Sequence, residues 1–395
     1  MKYILHVDIN SFFASVEELN HPSFKNKPIA VSGYTKRSVV CSANYIAREY
    51  GIKAAMPVFL AQKLCPGLTV VVPHFDQYHK YSERFTKFIS EKFTNKIELG
   101  SIDECYVNIT SLIDENHSPI QIAENLQKWI KNAIGLNCSI GIANNKFLAK
   151  MASDYKKPLG ITTLWQNEIS LKLWPQPIEN MLWIGKATAD LLKRNGIITI
   201  GDIAKKANLE KIKVLLNKNW LSHHQHANGI GDDQLDYSRN TPKSIGASET
   251  FLNDTADFME IKLKLEELTH DVIARLHYHQ QKAKTVSVII KDTNFQQYSR
   301  SITFNKYVDD YDQIIVALIK LFESNFLQVV IRLVGVSLSN LIENKFLNIT
   351  SELFDDFQKN DFKVEKTLQE KIAEQINEKF SKDIIGIAKN KLTSN

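Results

Sequence analysis

The sequence holds little that would staple, anchor or repeat the chain. Its 395 residues include only four cysteines, at positions 41, 65, 105 and 138, with no CxxC spacing among them. A disulfide framework is therefore not expected; free thiols in a reducing cytoplasm are. No apolar run approaches the roughly 20 residues that span a bilayer, so no membrane partner is expected. Met1-Lys2-Tyr3 leads straight into a strand-like run, without the pattern of a cleavable signal. There is no internal repeat. Nor does either charge dominate: 49 Lys and Arg face 44 Asp and Glu, a net charge of +5. That balance suits a polyanionic partner without establishing one.

What is present is an ordinary globular composition, 44% hydrophobic and 24% charged, over a length that predicts two to four domains. Residues 1–8 read as a strand, and Asn10 or Ser11 can cap a helix over Phe12 to Leu19. Residues 28–33 and 38–41 read as short strands, and Ser42 to Tyr50 as a helix stopped by Gly51. Ile97–Leu99 and Tyr106–Ile109 read as a hairpin through Ser101-Ile102-Asp103-Glu104. Ile122, Leu126, Ile130 and Ala133 mark a helix ended by Gly135. Cys138–Ile142 is a strand and Lys146–Asp154 a helix. With residues 11–74 set aside, the order is βαββαβ, a split βαβ unit. Residues 166–232 are mostly helical, and 233–243 read as a polar linker. Residues 244–341 form a second α+β unit, with helices at Phe258–Leu276 and Tyr311–Phe326 and strands at Thr285–Lys291, Tyr298–Phe304 and Arg332–Asn340. Beyond lies a polar tail in which Val364, Leu368, Ile372, Ile376 and Phe380 step by four, as in one amphipathic helix.

Asp8, ending the apolar run Tyr3 to Val7, and the pair Asp103-Glu104 carry the chemistry. Carboxylates gathered at strand ends repel one another unless cations lie among them. Hard oxygen ligands of this kind suit Mg²⁺. Two such ions can clamp the attacking and leaving oxygens of a phosphoryl transfer. Neighbours in a flat strand face opposite ways, so Asp103 and Glu104 would share one site only from the bend of the hairpin.

Four segments in register carry a resemblance. They are His6-Val7-Asp8-Ile9-Asn10-Ser11-Phe12-Phe13-Ala14-Ser15-Val16-Glu17, Ala43-Asn44-Tyr45-Ile46-Ala47-Arg48, Ser101-Ile102-Asp103-Glu104-Cys105-Tyr106, and Gly141 to Asp154 with Lys157-Pro158. Together they resemble the Y-family, translesion DNA polymerases, and within them the bacterial DinB branch. The resemblance implies an α+β right-hand polymerase. Its βαββαβ palm would span 1–10 and 75–165 and its small fingers 11–74. A helical thumb with a helix-hairpin-helix would span 166–232. After the linker would come an α/β little finger at 244–342 and a tail at 343–395. It implies low-fidelity, template-directed DNA synthesis without proofreading, and no second acidic cluster of exonuclease type is present. Two alternatives stand beside it: a UmuC-type mutasome polymerase, and a non-catalytic DNA- and clamp-binding scaffold of polymerase shape.

On this resemblance Asp8, Asp103 and Glu104 hold two Mg²⁺, with Mn²⁺ as an alternative, and the Ile9 carbonyl completes one site. Asn10, Cys105 and Asn108 stand where the family more often has Asp, Ala and Asp. Phe13 falls off the stripe of Phe12, Val16 and Leu19, and matches the steric gate that excludes a 2′-hydroxyl. Phe12 and Ser42 lie beside the nucleotide. Tyr45 and Arg48 share a helix face and with Lys157 resemble the triphosphate clamp. Free N–H groups of the first helix face the triphosphate. Gly185 and Lys186 fall in the helix-hairpin-helix, which would contact DNA. Lys282, Lys284, Lys291, Arg300 and Lys306 crowd two strands against Asp292 alone, and would track phosphates on one sheet face. Leu353-Phe354 resembles a peptide that binds the sliding clamp, although its usual Gln is lacking. Primer–template DNA, dNTPs and the clamp are the expected partners of a cytoplasmic monomer.

Overall fold

The computed structural model describes residues 1–237 and 241–345. The chain divides into two compact units, Met1–Asn240 and Thr241–Asn395. Leu353, Phe354 and the expected tail helix lie outside the described residues. Among the described residues, no helix is long and apolar enough to cross a membrane.

The first unit is built on β1 (Ile4–Ile9), whose six residues are all buried. Alternation sends Leu5, Val7 and Ile9 to one face, where they pack with Tyr78, Phe85 and Leu126. Ile4 lies on the other face and packs with Phe147, Ala149 and Ala152. α1 (Phe12–Asn20) follows. Next come β2 (Ile29–Val31), β3 (Ser42–Ala43), α2 (Tyr45–Glu49), α3 (Val58–Leu64) and β4 (Thr69–Val71), a small lobe with its own sheet, ordered β3-β2-β4. α4 (Phe75–Lys92), β5 (Ile97–Leu99), β6 (Glu104–Asn108), α5 (Pro119–Ile134), β7 (Cys138–Ala143), α6 (Lys146–Tyr155) and β8 (Ile161–Thr163) complete the main sheet, ordered β5-β6-β1-β7-β8. β1 is antiparallel to both β6 and β7, as a split βαβ unit requires. The helical segment holds α7 (Ile169–Lys172), α8 (Lys186–Arg194), α9 (Ile200–Ala204), α10 (Leu209–Leu216) and α11 (Trp220–Ala227).

Several expectations need correction. Ser11 does not cap α1 through its side chain: it is left-handed, with φ 44°, and its Oγ pairs with Ser15 Oγ at 3.1 Å. The α1 stripe includes Glu17, fully buried, whereas Leu19 is 39% exposed. Residues 38–41 form no strand; Val39 makes an isolated bridge to Pro57, and the strand falls at Ser42–Ala43 instead. The helix therefore starts only at Tyr45, capped by Asn44, whose side-chain oxygen accepts from the Ala47 N–H at 3.0 Å. Pairing of Ala43 with Ala30 overrides the local helical pattern. The start of the expected linker is tied to the first unit. Leu235 is buried, Lys2 pairs with Asp233 at 3.0 Å, and the Asp236 N–H donates to Glu98 at 2.7 Å. All four cysteines are free thiols.

α6 lies unusually close to β7, and Gly141 is the reason. A Cβ at Gly141 would fall 1.9 Å from the Ala149 carbonyl oxygen and 2.4 Å from the Ser153 nitrogen. Both are backbone atoms, so the helix would have to move. Gly141→Ala is expected to cost at least about 3 kcal/mol by overpacking. That corresponds to a fall in Tm on the order of 5–10 °C in a unit of this size. Thermal unfolding measures it, and an unchanged Tm would show that α6 can shift freely.

The second unit is an antiparallel sheet ordered β11-β10-β12-β9, formed by β9 (Ser244–Thr255), β10 (Gln281–Asp292), β11 (Gln297–Val308) and β12 (Ile331–Glu343). α12 (Phe258–Tyr278) and α13 (Tyr311–Phe326) join it in one core through Leu265, Val272, Leu318 and Phe322. β9 escapes sequence reading because its mostly exposed residues are largely polar. The basic residues do not share one sheet face. Arg300 pairs in register with the buried Val288, its guanidinium lies 5.5 Å from the Phe326 ring, and its Nε donates to Asn325 at 3.1 Å. It therefore lies on the helix side. Lys282 pairs with Asp309 at 3.1 Å, an acid the sequence count passed over, and Lys284 lies over Tyr307. Lys291 is half-buried and Lys306 exposed.

Candidate active site

Register assembles the carboxylates. β6 runs antiparallel to β1 with Glu104 opposite Asp8 and Tyr106 opposite His6. Residues opposite one another share a face, and so do residues two apart in one strand. His6, Asp8 and Glu104 therefore converge, with ligand atoms within 4.8 Å of one another. Asp103 stands apart from that triplet. It lies in the bend before β6, where its carbonyl accepts from the Ile9 N–H at 3.0 Å and its carboxylate accepts from Ser101 Oγ at 2.5 Å. The expected bend thus holds Asp103 alone, while Glu104 reaches in as the first residue of the strand. Sequence reasoning passed over His6, although its place two residues before Asp8 puts both on one strand face.

α6 crosses this face and brings in Lys150. Its Nζ lies 2.7 Å from Glu104 Oε2, 3.0 Å from Asp8 Oδ2 and 3.6 Å from Asp154 Oδ2. Lys157 lies 2.8 Å from Asp8 Oδ2 and 2.7 Å from Asp154 Oδ1. Lys150 falls within the Gly141–Asp154 segment, and its i, i+4 step to Asp154 is the sequence signal that points to it. Burial alone would raise the Glu104 pKa, but His6 and Lys150 hold it well below the usual carboxylate range. Burial works against the Lys150 ammonium, yet Asp8, Asp154 and Glu104 raise its pKa above that of an ordinary lysine. Burial raises Asp103, the Ser101 hydrogen bond opposes the rise, and the charges of Asp8 and Glu104 add to it. Burial lowers His6, so its ring is neutral near pH 7; Nδ1 lies 2.8 Å from Ser153 Oγ.

Beside the carboxylates opens a cavity of about 500 Å³. Asp8, Ile9 and Asp103 line one part; Ser42, Tyr45, Arg48 and Lys157 line another; Ser11, Phe12 and Phe13 line a third. Arg48 donates from Nε to the Ala43 carbonyl at 2.8 Å and its guanidinium lies 4.7 Å over the Tyr45 ring. The Tyr45 hydroxyl is buried without a hydrogen-bond partner. The first turn of α1, without a side-chain cap, leaves N–H groups for an anion.

Phe13 is half-buried at this wall. Its ring stacks on Tyr78 at 4.2 Å and 11°, and meets Phe75 edge-on at 6.0 Å. Tyr78 is fixed in turn by its hydroxyl, which donates to the buried Glu17 at 2.5 Å. Phe13 lies off the stripe of Phe12 and Val16, yet Glu17, one turn further on, is itself fully buried.

The departures have local causes. Asn10 is buried, donates to Ser139 Oγ at 2.9 Å and accepts from the Leu159 N–H at 2.9 Å, a double role no carboxylate fills. Cys105 is fully buried in the apolar core, and Asn108 accepts from the Thr110 N–H at 3.0 Å. Gly185 precedes α8 with an ordinary φ of −77°; the left-handed residue of that turn is Trp183, at φ 68°. Lys186 is 89% exposed in its side chain and pairs with Asp190 at 2.7 Å.

The donor set fits a divalent cation. Three carboxylates and the adjacent Ile9 carbonyl are hard oxygen donors, and burial, with the charges of Asp8 and Glu104 behind it, disfavours ionisation of Asp103 unless positive charge arrives. Comparison with known proteins agrees. Residues 7–154 match the impB/mucB/samB family, and residues 242–351 match that family's C-terminal domain. The chain is 37% identical over 394 residues to DNA polymerase IV of Oceanobacillus iheyensis, covering 99% of this chain and 92% of that protein. It is 40% identical over 343 residues to DNA polymerase IV of Clostridium kluyveri, covering 86% and 85%. Among solved structures, a chimeric Y-family DNA polymerase built on Dbh matches with a TM-score of 0.77 at 27% identity, covering 87% of this chain and 100% of that one. The insertion ternary complex of Dbh DNA polymerase matches with a TM-score of 0.61, at the same identity and coverage. Both family segments are present in order and the relatives are similar over most of their length, so the chain belongs to the impB/mucB/samB family, the Y-family DNA polymerases of the bacterial DNA polymerase IV type.

Proposed function

We propose that this chain adds deoxynucleotides to a primer 3′-hydroxyl along a DNA template, across damaged positions and without proofreading, using Mg²⁺ at Asp8, Asp103 and Glu104 with the Ile9 carbonyl. One observation carries the reading: a single cavity joins Asp8 and Asp103 to Tyr45, Arg48 and Lys157 on one side and to Phe13 on another. A deoxynucleoside triphosphate needs those three surroundings at once. Arg48, held by Ala43 and Tyr45, turns its remaining donors to the phosphates; the free Tyr45 hydroxyl and Lys157 add to them. Ser42 and the N–H groups at Ser11 and Phe12 complete the cradle. Phe13 sits under the sugar. Bound divalent ions would supply charge neutralisation and lower the pKa of the attacking hydroxyl. The protein's own share is positioning and preorganised charge.

Gly185 and Lys186 would grip the DNA backbone through α8, and Lys282, Lys284 and Lys291 would do so on the second unit. Arg300 is better read as packing on α13. The four free thiols support a cytoplasmic setting, and the chain would act as a monomer. Leu353-Phe354 would recruit the sliding clamp. Primer extension by the full chain with dNTPs and Mg²⁺ tests the activity. Clamp-free synthesis is expected to survive Leu353→Ala/Phe354→Ala, and stimulation by loaded clamp to be lost, since tethering raises effective concentration. Full stimulation of the double variant would place the clamp contact elsewhere.

A further inference from the structure

Lys150 sits where a divalent cation would bind. Its side chain is 13% exposed and emerges from α6 onto the one face that carries both Asp8 and Glu104. The oxygens it holds, Asp8 Oδ2 and Glu104 Oε2, belong to two of the three residues whose ligand atoms cluster within 4.8 Å. An ammonium has three donors, and three carboxylates surround this one, with Asp154 the farthest at 3.6 Å. A divalent ion held by Asp8 and Glu104 would compete with this ammonium for the two carboxylates. Lys157 already lies on Asp8 Oδ2 at 2.8 Å beside Lys150, so a divalent ion there would add a third positive group and repel the less exposed ammonium between Asp8 and Glu104. The lysine stem is flexible, and Asp154, one turn further along α6 and 45% exposed in its side chain, offers a second partner.

We propose that Lys150 is a built-in counter-cation that holds Asp8 and Glu104 together in the metal-free site and withdraws onto Asp154 when a divalent cation takes their oxygens. Lys150 is thus a positioning residue that sets how tightly the site binds metal. The inference rests on the reading of Asp8 and Glu104 as metal ligands, and that reading is tested separately in the same experiment.

The test is titration of the full chain with Mn²⁺ alone, without DNA or nucleotide, followed by electron paramagnetic resonance, with thermal unfolding in parallel. Asp8→Ala is expected to remove the tightest Mn²⁺ site; retention of that site would sink the ligand assignment itself. Lys150→Met is expected to bind Mn²⁺ about tenfold more tightly, in the range typical for groups beside metal ligands. Its Tm without metal should fall, with Mn²⁺ restoring it and Lys150→Arg recovering most of the loss. Asp154→Asn is expected to weaken Mn²⁺ binding severalfold, because Lys150 and Lys157 then both lose their other carboxylate and rest on Asp8. Should Lys150→Met fail to fold, Asp154→Asn decides alone. Mn²⁺ affinity unchanged or weaker in Lys150→Met, or unchanged or tighter in Asp154→Asn, would overturn the proposal.

Discussion

Glu104→Ala and Asp103→Ala are each expected to reduce single-nucleotide incorporation by at least about a thousandfold, the scale of losing one preorganised charge at the reacting centre. Affinity for primer–template should stay within about twofold, because phosphate contacts by basic residues dominate it. The two variants fail for different reasons. Glu104 faces Asp8 across the β1–β6 ladder, and its loss also frees Lys150 from its closest partner. Asp103 lines the nucleotide-sized cavity beside Ile9, and its loss leaves the lysines where they are. Glu104→Ala is therefore expected to change thermal stability as well as rate, and Asp103→Ala chiefly rate. Single-turnover incorporation and a fluorescence binding assay measure the two quantities. Wild-type incorporation by both variants would remove the carboxylates from the chemistry.

Phe13→Ala is expected to raise the kcat/KM for a ribonucleotide relative to the matched deoxynucleotide by about two orders of magnitude. The physical reason is the rigidity of the wall. Phe13 stacks on Tyr78, and the Tyr78 hydroxyl is bonded to the fully buried Glu17, so the ring cannot step back to admit a 2′-hydroxyl. Forcing an extra atom into a wall that cannot relax costs about 3 kcal/mol, a factor of roughly 100. Deoxynucleotide incorporation should fall much less, since the substitution removes a clash and not a bond. Single-nucleotide kinetics with matched substrates measure the ratio. A ratio unchanged in Phe13→Ala would return the residue to the role of a core aromatic.

How much of this was legible in the residues depends on the kind of signal. α5, α6 and α13 were placed to within a few residues, because an amphipathic stripe repeats over several turns and Gly135 marks a stop. β1, β6 and β7 were found as apolar runs between turn residues. The small lobe was misread at Ser42–Ala43, where two residues of strand depend wholly on the partner strand Ile29–Val31. β9 was missed because one side of it is wet and the apolar alternation is thin.

By itself the sequence determined the chemistry: hard carboxylate donors, cationic arms, an aromatic next to a helix start, and the order of strands and helices that carries them. Those are local or periodic properties, written in residue type and spacing. Only the tertiary structure decided which of them meet. The antiparallel register of β1 with β6 set Glu104 opposite Asp8, on the strand face that His6 shares. The bare Cα of Gly141 let α6 lie close enough for Lys150 to enter the carboxylate cluster. The pairing of Arg300 with Val288 turned that charge onto α13. Register and interhelix distance arise from packing between segments far apart in the chain, and a one-residue slip inverts every side chain of a strand, so no local pattern can specify them.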